Sequence, residues 1–445
     1  MGDLRQRASY PDITSDHAST DTNPDESRLL VQHNDSSQKT TQNAHPSGKE
    51  KHNQLIQILR GVSLAIFFTA CSVSIVATQF LGAPLYWINR DLYYTYIALT
   101  KQYFGLALTT MTQWWGPTTI RISGDGSVAG QIKKTPDGRV EFNFPERMVM
   151  IANHQIYTDW LYLWWVGYAN APRMHGYLYI ILKESLKYLP IVGQGMMFYG
   201  FIFMSRKMSV DRPRLAYRLG KLKTKHTHNG RQYLNPMWLL LFPEGTNCTQ
   251  NGRNKSKKWA DKISIKDMEH VLLPRSTGMY FCLKELKGTV EYVYDCTVAY
   301  EGVPRGMYGD QFFTLSSTYL RGQPPKSVNF YWRRFAIDDM PLENQEEFDV
   351  WLRERWYEKD ALMEQYLTTG RFPPSPPTKE GGHEGHLETE VRARHPLEFL
   401  QIFSVLGAAG VLATTAAKTW ERVAGWIYEI LSLMGSAAKT LLVWS

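Results

Sequence analysis

The hydrophobic and polar positions divide the 445-residue chain into a polar tail, an apolar segment, a long mixed body and an apolar C-terminal end. Residues 1–54 are rich in Ser, Thr, Asp, Asn, Gln and His and contain almost no aromatic residue. A segment of this composition cannot bury enough surface to offset its ordering entropy. We therefore predict a disordered tail, and because no apolar run lies near its start, it is not a secretory signal.

An uncharged apolar run predicts membrane anchoring within residues 55–117. It is the stretch Val62–Ile88, and about 27 helical residues at ~1.5 Å each reach roughly 40 Å, more than a hydrocarbon core of ~30 Å. Arg60 and Arg90 bracket the run. A buried core helix is the alternative interpretation of this stretch.

A second stretch, Leu92–Trp115, is aromatic and less apolar, and it contains Lys101. It predicts a helix that either returns across the membrane or lies in its interface. The basic residues Lys49, Lys51 and Arg60 favour a cytoplasmic N-terminus. A returning helix would keep the body of the protein cytoplasmic, whereas a single span would place the body on the far side.

Strand-like runs alternate with helical patterns through residues 118–345, which predicts an α/β layer with a largely buried sheet. The predicted strands are Val140–Phe144, Met148–Ala152, Gly200–Met204, Met237–Phe242, Tyr292–Ala299 and Val328–Arg333. The predicted helices include Trp160–Gly167, Lys183–Tyr188, Pro213–Lys223 and Ile265–Leu272.

The last hundred residues continue the body and then become apolar. Residues 346–370 predict a helical extension, and residues 371–396, rich in Pro, Gly and charge, predict a flexible linker. Residues 397–445 contain two apolar stretches, Phe399–Ala417 and Ala424–Trp444. They predict either a second membrane hairpin or helices that lie in the interface.

Composition and charge narrow the class of partner. With 43% hydrophobic residues, 14 Trp and 25 Tyr, the chain has enough apolar side chains for a large core and for aromatic belts at a membrane surface. A formal charge of +8 suits nucleic acid or anionic lipid, but no zinc-finger or RNP-like pattern is present, which disfavours nucleic acid. The four cysteines show no metal or disulfide spacing and predict reduced thiols facing the cytosol.

The first candidate chemistry follows the strand-like run Met148–Ala152, in the sequence NHQIYTD that starts at Asn153. His154 and Asp159 can meet only if the histidine lies in a turn and the aspartate in the first turn of the next helix. The carboxylate would then accept the imidazole N–H, fix its tautomer and leave the other nitrogen free as a base. A surface histidine beside a helix-starting acid is the alternative for this motif alone.

Three further stretches place polar residues at the ends of strand-like runs, where α/β sheets bind ligands. GFIFMSRK, from Gly200, has Arg206 near its end, and the guanidinium group of this residue could bind a phosphate through two N–H groups. LLLFPEGTN, from Leu239, predicts a tight turn that presents Glu244 and backbone amides. VAYEGVP, which ends at Pro304, is again a strand followed by a turn. Taken alone, each of these stretches could be a plain turn or a solvated strand end. Together with the NHQIYTD motif, however, four stretches lie at the ends of predicted strands, which favours a shared site.

Together NHQIYTD, GFIFMSR, LFPEGT and VAYEGVP resemble, in order and approximate spacing, the four motif blocks of the glycerolipid acyltransferases. That family includes the 1-acyl-glycerol-3-phosphate and lysophospholipid acyltransferases. The resemblance covers roughly residues 50–340. LKESLKYLP with Gly193, LPRSTG, and the basic loop after FPEGTN resemble the eukaryotic branch that contains lysophosphatidylinositol and lysocardiolipin acyltransferases.

The resemblance implies an α/β fold with a mixed sheet flanked by helices, an N-terminal membrane hairpin and hydrophobic C-terminal helices. It implies transfer of a fatty acyl group from acyl-CoA to the free hydroxyl of a lysophospholipid. Lysophosphatidylinositol is the first acceptor to expect, with lysophosphatidic acid or lysocardiolipin next. Acyl-CoA is then a co-substrate, no cofactor or metal is implied, and the lipid bilayer is a partner. The expected location is the endoplasmic reticulum membrane, with a mitochondrial membrane as the alternative.

The resemblance also implies roles for individual residues. His154 is the expected base and Asp159 its orienting acid, and Arg206 is expected to hold the acceptor phosphate. Many family members carry Arg after FPEGT where this chain has Asn247, so that phosphate contact is absent or comes from Arg275 or Lys183. The expected substrate-binding residues are Asn153, Lys183, Arg206, Glu244, Gly245, Thr246, Arg275 and Pro304.

Two other classes of protein compete with this interpretation. A lipid thioesterase would also act on acyl-CoA, but the sequence contains no GxSxG nucleophile elbow. A membrane-anchored lipid-binding protein with a non-catalytic site is the second alternative, and the intact pair of His154 and Asp159 argues against it.

Overall fold

The computed structural model describes residues 44–205, 207–228, 230–377 and 384–443. Most of the tail predicted to be disordered lies outside these residues. Residues 45–53 of that tail are instead ordered against the body. The His45 ring bonds the Phe312 carbonyl oxygen at 3.0 Å, and the Ser47 hydroxyl donates to the Pro324 carbonyl oxygen at 2.5 Å. These polar contacts hold the segment before the first helix against the body.

Helices and strands alternate through the body, as the pattern predicts. Among the described residues the helices are α1 (Gln54–Gly82), α2 (Leu85–Ile88), α3 (Arg90–Trp115), α4 (Asp159–Ala169), α5 (Val192–Phe198), α6 (Met208–Leu222), α7 (Gln250–Lys262), α8 (Ser276–Leu286), α9 (Gly309–Phe312), α10 (Gln345–Thr369) and α11 (Ser404–Val443). The strands are β1 (Thr119–Gly124), β2 (Ile132–Lys134), β3 (Val140–Phe142), β4 (Arg147–Ala152), β5 (Leu178–Lys183), β6 (Ile202–Met204), β7 (Lys225–His228), β8 (Arg231–Leu234), β9 (Met237–Leu241), β10 (Tyr292–Tyr300), β11 (Ser327–Ala336) and β12 (Leu387–Glu390).

Eight strands form one mixed sheet in the order β12-β1-β11-β10-β4-β9-β5-β6. Strands β10, β4, β9, β5 and β6 are parallel to one another, whereas β11 is antiparallel to β10 and β12 is antiparallel to β1. Ile151 stands opposite Leu241 on one side and Asp295 on the other, which fixes the register of the three central strands. The parallel strands all end at one edge of the sheet, called the carboxyl edge below.

Helices cover both faces of this sheet. For that reason β4 and β9 are continuous apolar runs rather than alternating ones, and every side chain in the stretch Met148–Ala152 is buried. The face covered by α3 and α4 is aromatic, with Phe144 packed against Trp332 at a ring distance of 5.1 Å. The opposite face is covered by α6, α7, α8 and α10.

The predicted helix over Ile265–Leu272 is wrong, because this segment is an irregular loop between α7 and α8. Its backbone groups bond to side chains instead of to one another. The Asp360 carboxylate accepts the N–H groups of Glu269, His270 and Val271. Arg253 donates to the carbonyl oxygens of Met268, Glu269 and Val271. Side chains from α7 and α10 thus satisfy the donors and acceptors that a helix would have paired.

The segment 371–396, predicted to be a flexible linker, contains β12. This strand covers the edge of β1 and alternates two buried residues, Leu387 and Thr389, with exposed glutamates. The Arg121 Nε donates to Glu388 across the pair at 2.7 Å. Residues 378–383 of the predicted linker lie outside the described residues.

The C-terminal apolar stretches form one continuous helix, α11, rather than a hairpin. Lys418, Glu421 and Arg422 do not interrupt it because charged residues with long side chains favour helices and these three are exposed. By length and composition, two described helical stretches, Gln54–Ile88 and Glu398–Leu431, could cross a membrane.

Helix α3, predicted to return across the membrane or lie in its interface, is largely buried against the body. Its Lys101 is 1% exposed. The amine donates to the Leu178 carbonyl oxygen at 3.1 Å and lies 3.8 Å from the centre of the Tyr179 ring. These contacts accommodate the amine inside the body, although burial lowers the pKa of Lys101 to about 7.

Candidate active site

His154 and Asp159 meet as their spacing predicts. Residue 154 lies in the turn after β4, and Asp159 is the first residue of α4. His154 Nδ1 lies 2.8 Å from Asp159 Oδ2. Because a carboxylate oxygen accepts, Nδ1 carries a proton, and in the neutral imidazole Nε2 has the lone pair. Nε2 has no hydrogen-bond partner among the described residues, and the side chain is 18% exposed, so this nitrogen is open to a ligand.

Asp159 itself is fully buried and held from several directions. Besides the imidazole, its Oδ2 accepts the backbone N–H groups of Gln155 at 2.6 Å and Ile156 at 3.0 Å. Its Oδ1 accepts the Tyr300 hydroxyl at 2.5 Å. Four donors therefore point at this buried side chain. The arrangement suits an acid that orients the imidazole and stabilises it when it becomes positively charged.

The ring of His154 is also held by its neighbours. Phe242, which follows β9, stacks on it with a ring distance of 4.3 Å. The backbone carbonyl oxygen of His154 accepts the N–H of Cys248 at 2.6 Å. The ends of β4 and β9 therefore fix both the ring plane and the backbone of the histidine.

Asn153 bridges two strands and is fully buried. Its side-chain amide donates to the Val298 carbonyl oxygen at 2.9 Å and accepts the Val298 N–H at 2.7 Å. The sequence predicts a substrate contact for Asn153, but both ends of its amide are engaged with β10. In this structure it fixes the separation of β4 and β10 where the His154 turn begins.

Glu244 lies beneath the FPEGT turn, not at its surface. Its side chain is 3% exposed, and Oε1 accepts the Trp356 indole N–H from α10 at 3.3 Å. Burial raises the pKa of Glu244 to about 8, against smaller opposing effects of the Trp356 indole and the His154 backbone amide. The sequence predicts a substrate contact, whereas here the carboxyl group joins the turn to α10.

The raised pKa of Glu244 makes a testable prediction about stability. Between about pH 4.5 and 8 the folded protein keeps the proton on Glu244 while the unfolded chain releases it, so wild-type stability falls as pH rises through this range. A glutamine amide cannot ionise. The free energy of unfolding of Glu244→Gln, taken relative to that of wild type, should therefore increase from pH 5 to pH 8 by on the order of a few kcal/mol. Thermal unfolding at several pH values measures this difference.

The control for that measurement is Glu343→Gln, which makes the same chemical change at a side chain that is 85% exposed. It should follow the wild-type curve across the range. Parallel curves for Glu244→Gln and wild type would show that Glu244 is ionised in the folded protein and would contradict the prediction.

The rest of the FPEGT turn reaches the surface. Gly245 has φ +73°, a left-handed conformation that strains other residues, and its N–H bonds the Phe242 carbonyl oxygen at 2.9 Å. The Arg275 side chain lies against it, with Cδ 3.7 Å from the position a Cβ would take. The Arg275 N–H also donates to the Pro243 carbonyl oxygen at 2.8 Å. The structure therefore brings Arg275 to the turn that contains the partly exposed Thr246.

One of the other cations predicted to bind phosphate lies at the same edge. Lys183 is the last residue of β5 and is exposed. Arg206 lies outside the described residues. The residues on either side, Ser205 and Lys207, each donate a backbone N–H to the buried Asp211, at 2.9 and 3.1 Å.

Pro304 lines a cavity of about 70 Å³ beside the His154 turn. Gln155, Cys248, Tyr300 and Met363 also line this cavity. The fourth motif therefore lies next to the first, which is the juxtaposition predicted from its placement at a strand end.

A buried charged cluster of Asp295, Arg333 and Lys359 joins β10 to α10. Lys359 Nζ donates to Asp295 Oδ1 at 2.6 Å and to the Cys296 carbonyl oxygen at 2.9 Å, and Arg333 Nη2 donates to Asp295 Oδ2 at 2.7 Å. Burial alone would raise the pKa of Asp295, but the two cations outweigh it and hold that pKa below its ordinary value. The cluster pins α10 to the strand that delivers Tyr300.

One group among the described residues has the composition of a metal site. The ligand-type atoms of Glu269, His270 and Glu364 lie close together. Arg305 donates to both carboxylate oxygens of Glu364, and His270 Nε2 lies 2.8 Å from one of them. The guanidinium already supplies the positive charge that an ion would bring, so we assign no metal to this group.

Three residues that shape the site have no recognisable signal in the sequence. Tyr300 stands inside VAYEGVP, but nothing in the motif indicates a contact with Asp159. Trp356 reaches Glu244 from 112 positions away along the chain. Phe242 stands before the FPEGT proline, where it reads as the last residue of a strand. These contacts depend on tertiary packing, which has no local signal in the sequence.

Comparison with known proteins gives consistent matches. A family model described as acyltransferase matches residues 138–301, and one described as acyltransferase C-terminus matches residues 318–395. An uncharacterized acyltransferase of Schizosaccharomyces pombe is 37% identical over 78% of this chain and 94% of its own length. A 2-acyl-1-lysophosphatidylinositol acyltransferase of Saccharomyces cerevisiae is 37% identical over 72% and 87%. Lysocardiolipin acyltransferase 1 of Gallus gallus is 31% identical over 57% and 58%. No solved structure matches the chain.

Proposed function

The chain belongs to the acyltransferase family, and on that premise we propose that it moves a fatty acyl group from acyl-CoA to the free hydroxyl of a lysophospholipid, in phospholipid synthesis or remodelling. The observation that carries the proposal is the pair of His154 and Asp159 at the carboxyl edge, with His154 Nε2 open to a ligand. A histidine held by a buried carboxylate is a general base suited to a hydroxyl group.

The proposed reaction needs one proton carrier. His154 Nε2 takes the proton of the acceptor hydroxyl as its oxygen attacks the thioester carbonyl carbon. Asp159, fixed by two backbone amides, stabilises the imidazolium that forms. The tetrahedral intermediate collapses, the C–S bond breaks, and the imidazolium returns the proton to the departing CoA sulfur. The step as written uses acyl-CoA as co-substrate and needs no metal or other cofactor.

The acceptor phosphate is proposed to meet the cations of the carboxyl edge. Lys183 and Arg275 are exposed there, and Arg206 is assigned the same role on the basis of its motif. Gly245 and Thr246 would shape the acceptor site, with Glu244 and Asn153 supporting it from beneath. Pro304 would border the acyl or CoA channel.

Removing one of these cations should weaken acceptor binding more than catalysis. Lys183→Met or Arg275→Met deletes a charge-assisted contact worth about 1.5–3 kcal/mol, so the KM for the lysophospholipid should rise about tenfold or more. The turnover number and the KM for acyl-CoA should change less than about twofold. Steady-state kinetics with each substrate varied in turn measures all three constants.

Lys284→Met is the matched control for these variants. Lys284 lies in the last turn of α8, at the opposite end of that helix from Arg275. It should leave both KM values at the wild-type level. An unchanged KM for the lysophospholipid in both Lys183→Met and Arg275→Met would show that these residues do not bind the phosphate.

Membrane association fits both the substrates and the fold. The two long apolar stretches and the lipid substrates named for the relatives support it. We propose that α1 and α11 anchor the protein so that the site opens at a bilayer surface, in the endoplasmic reticulum or, as the alternative, in a mitochondrial membrane. A lipid acceptor then enters without leaving the membrane environment.

The head group is proposed from the relatives. The names of two relatives contain lysophosphatidylinositol, and one of these is the Saccharomyces cerevisiae protein of 37% identity. The names of others contain lysocardiolipin. We therefore rank lysophosphatidylinositol first, with lysophosphatidic acid and lysocardiolipin next. The competing function is a membrane-anchored lipid-binding protein whose site does not turn over.

One assay tests the function and names the acceptor. Microsomes that overexpress the chain receive labelled oleoyl-CoA and, separately, lysophosphatidylinositol, lysophosphatidic acid, lysophosphatidylglycerol or monolysocardiolipin. Labelled phospholipid that forms with wild type and not with a His154 variant supports acyl transfer, and the fastest acceptor gives the preference. If no acceptor yields His154-dependent product, the proposal fails and the lipid-binding protein is favoured.

A further inference from the structure

Tyr300 makes the one side-chain contact to the far oxygen of Asp159 among the described residues. The hydroxyl group of Tyr300 donates to Asp159 Oδ1 at 2.5 Å. The other oxygen, Oδ2, accepts the imidazole and the two backbone amides. The two oxygens therefore bind different parts of the protein: Oδ2 faces the His154 turn, and Oδ1 faces β10.

Tyr300 is rigidly placed to make this contact. It is the last residue of β10, paired with Val328 of β11, and it is 3% exposed. Its ring lies between those of Phe313 and Tyr162, at ring distances of 5.6 and 6.3 Å. Burial and the nearby Asp159 raise the pKa of Tyr300 well above its ordinary value, so the phenol remains a donor across the range of enzyme assays.

The Tyr300 hydroxyl group restricts rotation of the Asp159 carboxylate. A carboxylate turns about its Cβ–Cγ bond, and both oxygens must stay in place if Oδ2 is to remain on His154 Nδ1. Without the hydroxyl, Oδ1 becomes a buried acceptor with no partner, which favours rotation of the group. Rotation would remove Oδ2 from the imidazole.

We propose that Tyr300 is a positioning residue, which holds Asp159 in the rotation that orients His154, and that the fourth motif thereby completes the catalytic pair of the first. This role rests on the proposed acyl transfer. It makes His154, Asp159 and Tyr300 a three-residue unit built from the turn after β4, the start of α4 and the end of β10.

The test compares two buried tyrosines on the same strand. Tyr300→Phe should lower the turnover number about tenfold to a hundredfold, with both KM values within about twofold of wild type, because it loses orientation rather than binding. Tyr294→Phe is the matched control: Tyr294 is also buried, and its hydroxyl also makes a side-chain hydrogen bond, to Gln131 at 2.7 Å, but near the other end of β10. It should keep the wild-type turnover number. A wild-type turnover number for Tyr300→Phe would overturn the proposal.

A double-mutant cycle separates positioning from a loss of packing. In an Asp159→Ala background Tyr300 has nothing to position, so adding Tyr300→Phe should change the residual rate less than about twofold. If Tyr300→Phe lowers the turnover number by the same factor in the Asp159→Ala background as in wild type, Tyr300 does not act through Asp159 and the proposal fails.

Failure of the proposed function is recognised separately, as the absence of His154-dependent transfer by wild type. In that event the positioning role is tested without an activity assay. The measurement is the rate at which diethyl pyrocarbonate modifies His154, monitored by peptide mass spectrometry. Tyr300→Phe should change this rate at least about threefold, while Tyr294→Phe should not. Equal rates in wild type and Tyr300→Phe would overturn the positioning role.

Discussion

Replacing His154 with Ala should reduce acyl-transfer turnover about 10²–10⁴-fold, the range that general-base catalysis contributes. The substitution removes the lone pair at Nε2 that would take the proton of the acceptor. It should leave the fold intact, because the ring contacts Asp159 and Phe242 at a partly exposed position and Asp159 keeps its two backbone donors. The measurement is transfer of label from oleoyl-CoA at saturating acceptor, normalised to the amount of folded protein.

His395→Ala supplies the control for that experiment, since His395 is an exposed histidine beyond β12. It should retain the wild-type rate. Retention of more than about a tenth of the wild-type turnover by His154→Ala would exclude this histidine as the base, whatever the acceptor.

Asp159→Asn should lower turnover by about 10²-fold, and Asp159→Ala should lower it further. The difference follows from the donors around the carboxylate. Two backbone amides point at Oδ2, so in Asp159→Asn the side-chain amide oxygen would occupy that position and the NH₂ group would face the Tyr300 hydroxyl, which can accept. The imidazole would keep its tautomer and lose only the negative charge that stabilises its protonated form.

The two variants are compared by their turnover numbers under the same saturating conditions. Asp159→Ala loses the charge and the orientation of the ring, so a gap of several-fold should separate the two. If Asp159→Asn is as inactive as Asp159→Ala, the amide has turned its NH₂ toward His154 and imposed the wrong tautomer. That result would mean that the backbone amides do not determine which end of the asparagine amide faces His154.

The His154 turn could be predicted because its signals are local. The apolar run of β4, the break at Asn153 and the acid that opens α4 all lie within a dozen residues, and the parallel strands bring the other motifs to the same edge. The α/β layer could be predicted in the same way, because the strands and helices of the body alternate along the chain.

The elements that were missed depend on distant partners. The loop Ile265–Leu272 has a helical pattern, but Arg253 and Asp360 capture its backbone groups. Strand β12 lies in a segment rich in Pro and Gly, and its pairing with β1 determines its structure. The Glu244 carboxyl group and the Asn153 amide face the protein because α10 and β10 pack behind the turns. A single sequence does not reveal such contacts.

The cluster of Asp295, Arg333 and Lys359 has a consequence for how the chain is made. Asp295 leaves the ribosome 64 residues before Lys359, its buried counter-ion. At about 5–20 residues per second, that interval lasts roughly 3–13 seconds, during which β10 carries a carboxylate that cannot yet be buried with both of its cations. We therefore expect β10 to be buried only after α10 has been synthesised, so that a nascent chain that stops before α10 would expose β10, and with it Tyr300, to chaperones and proteases.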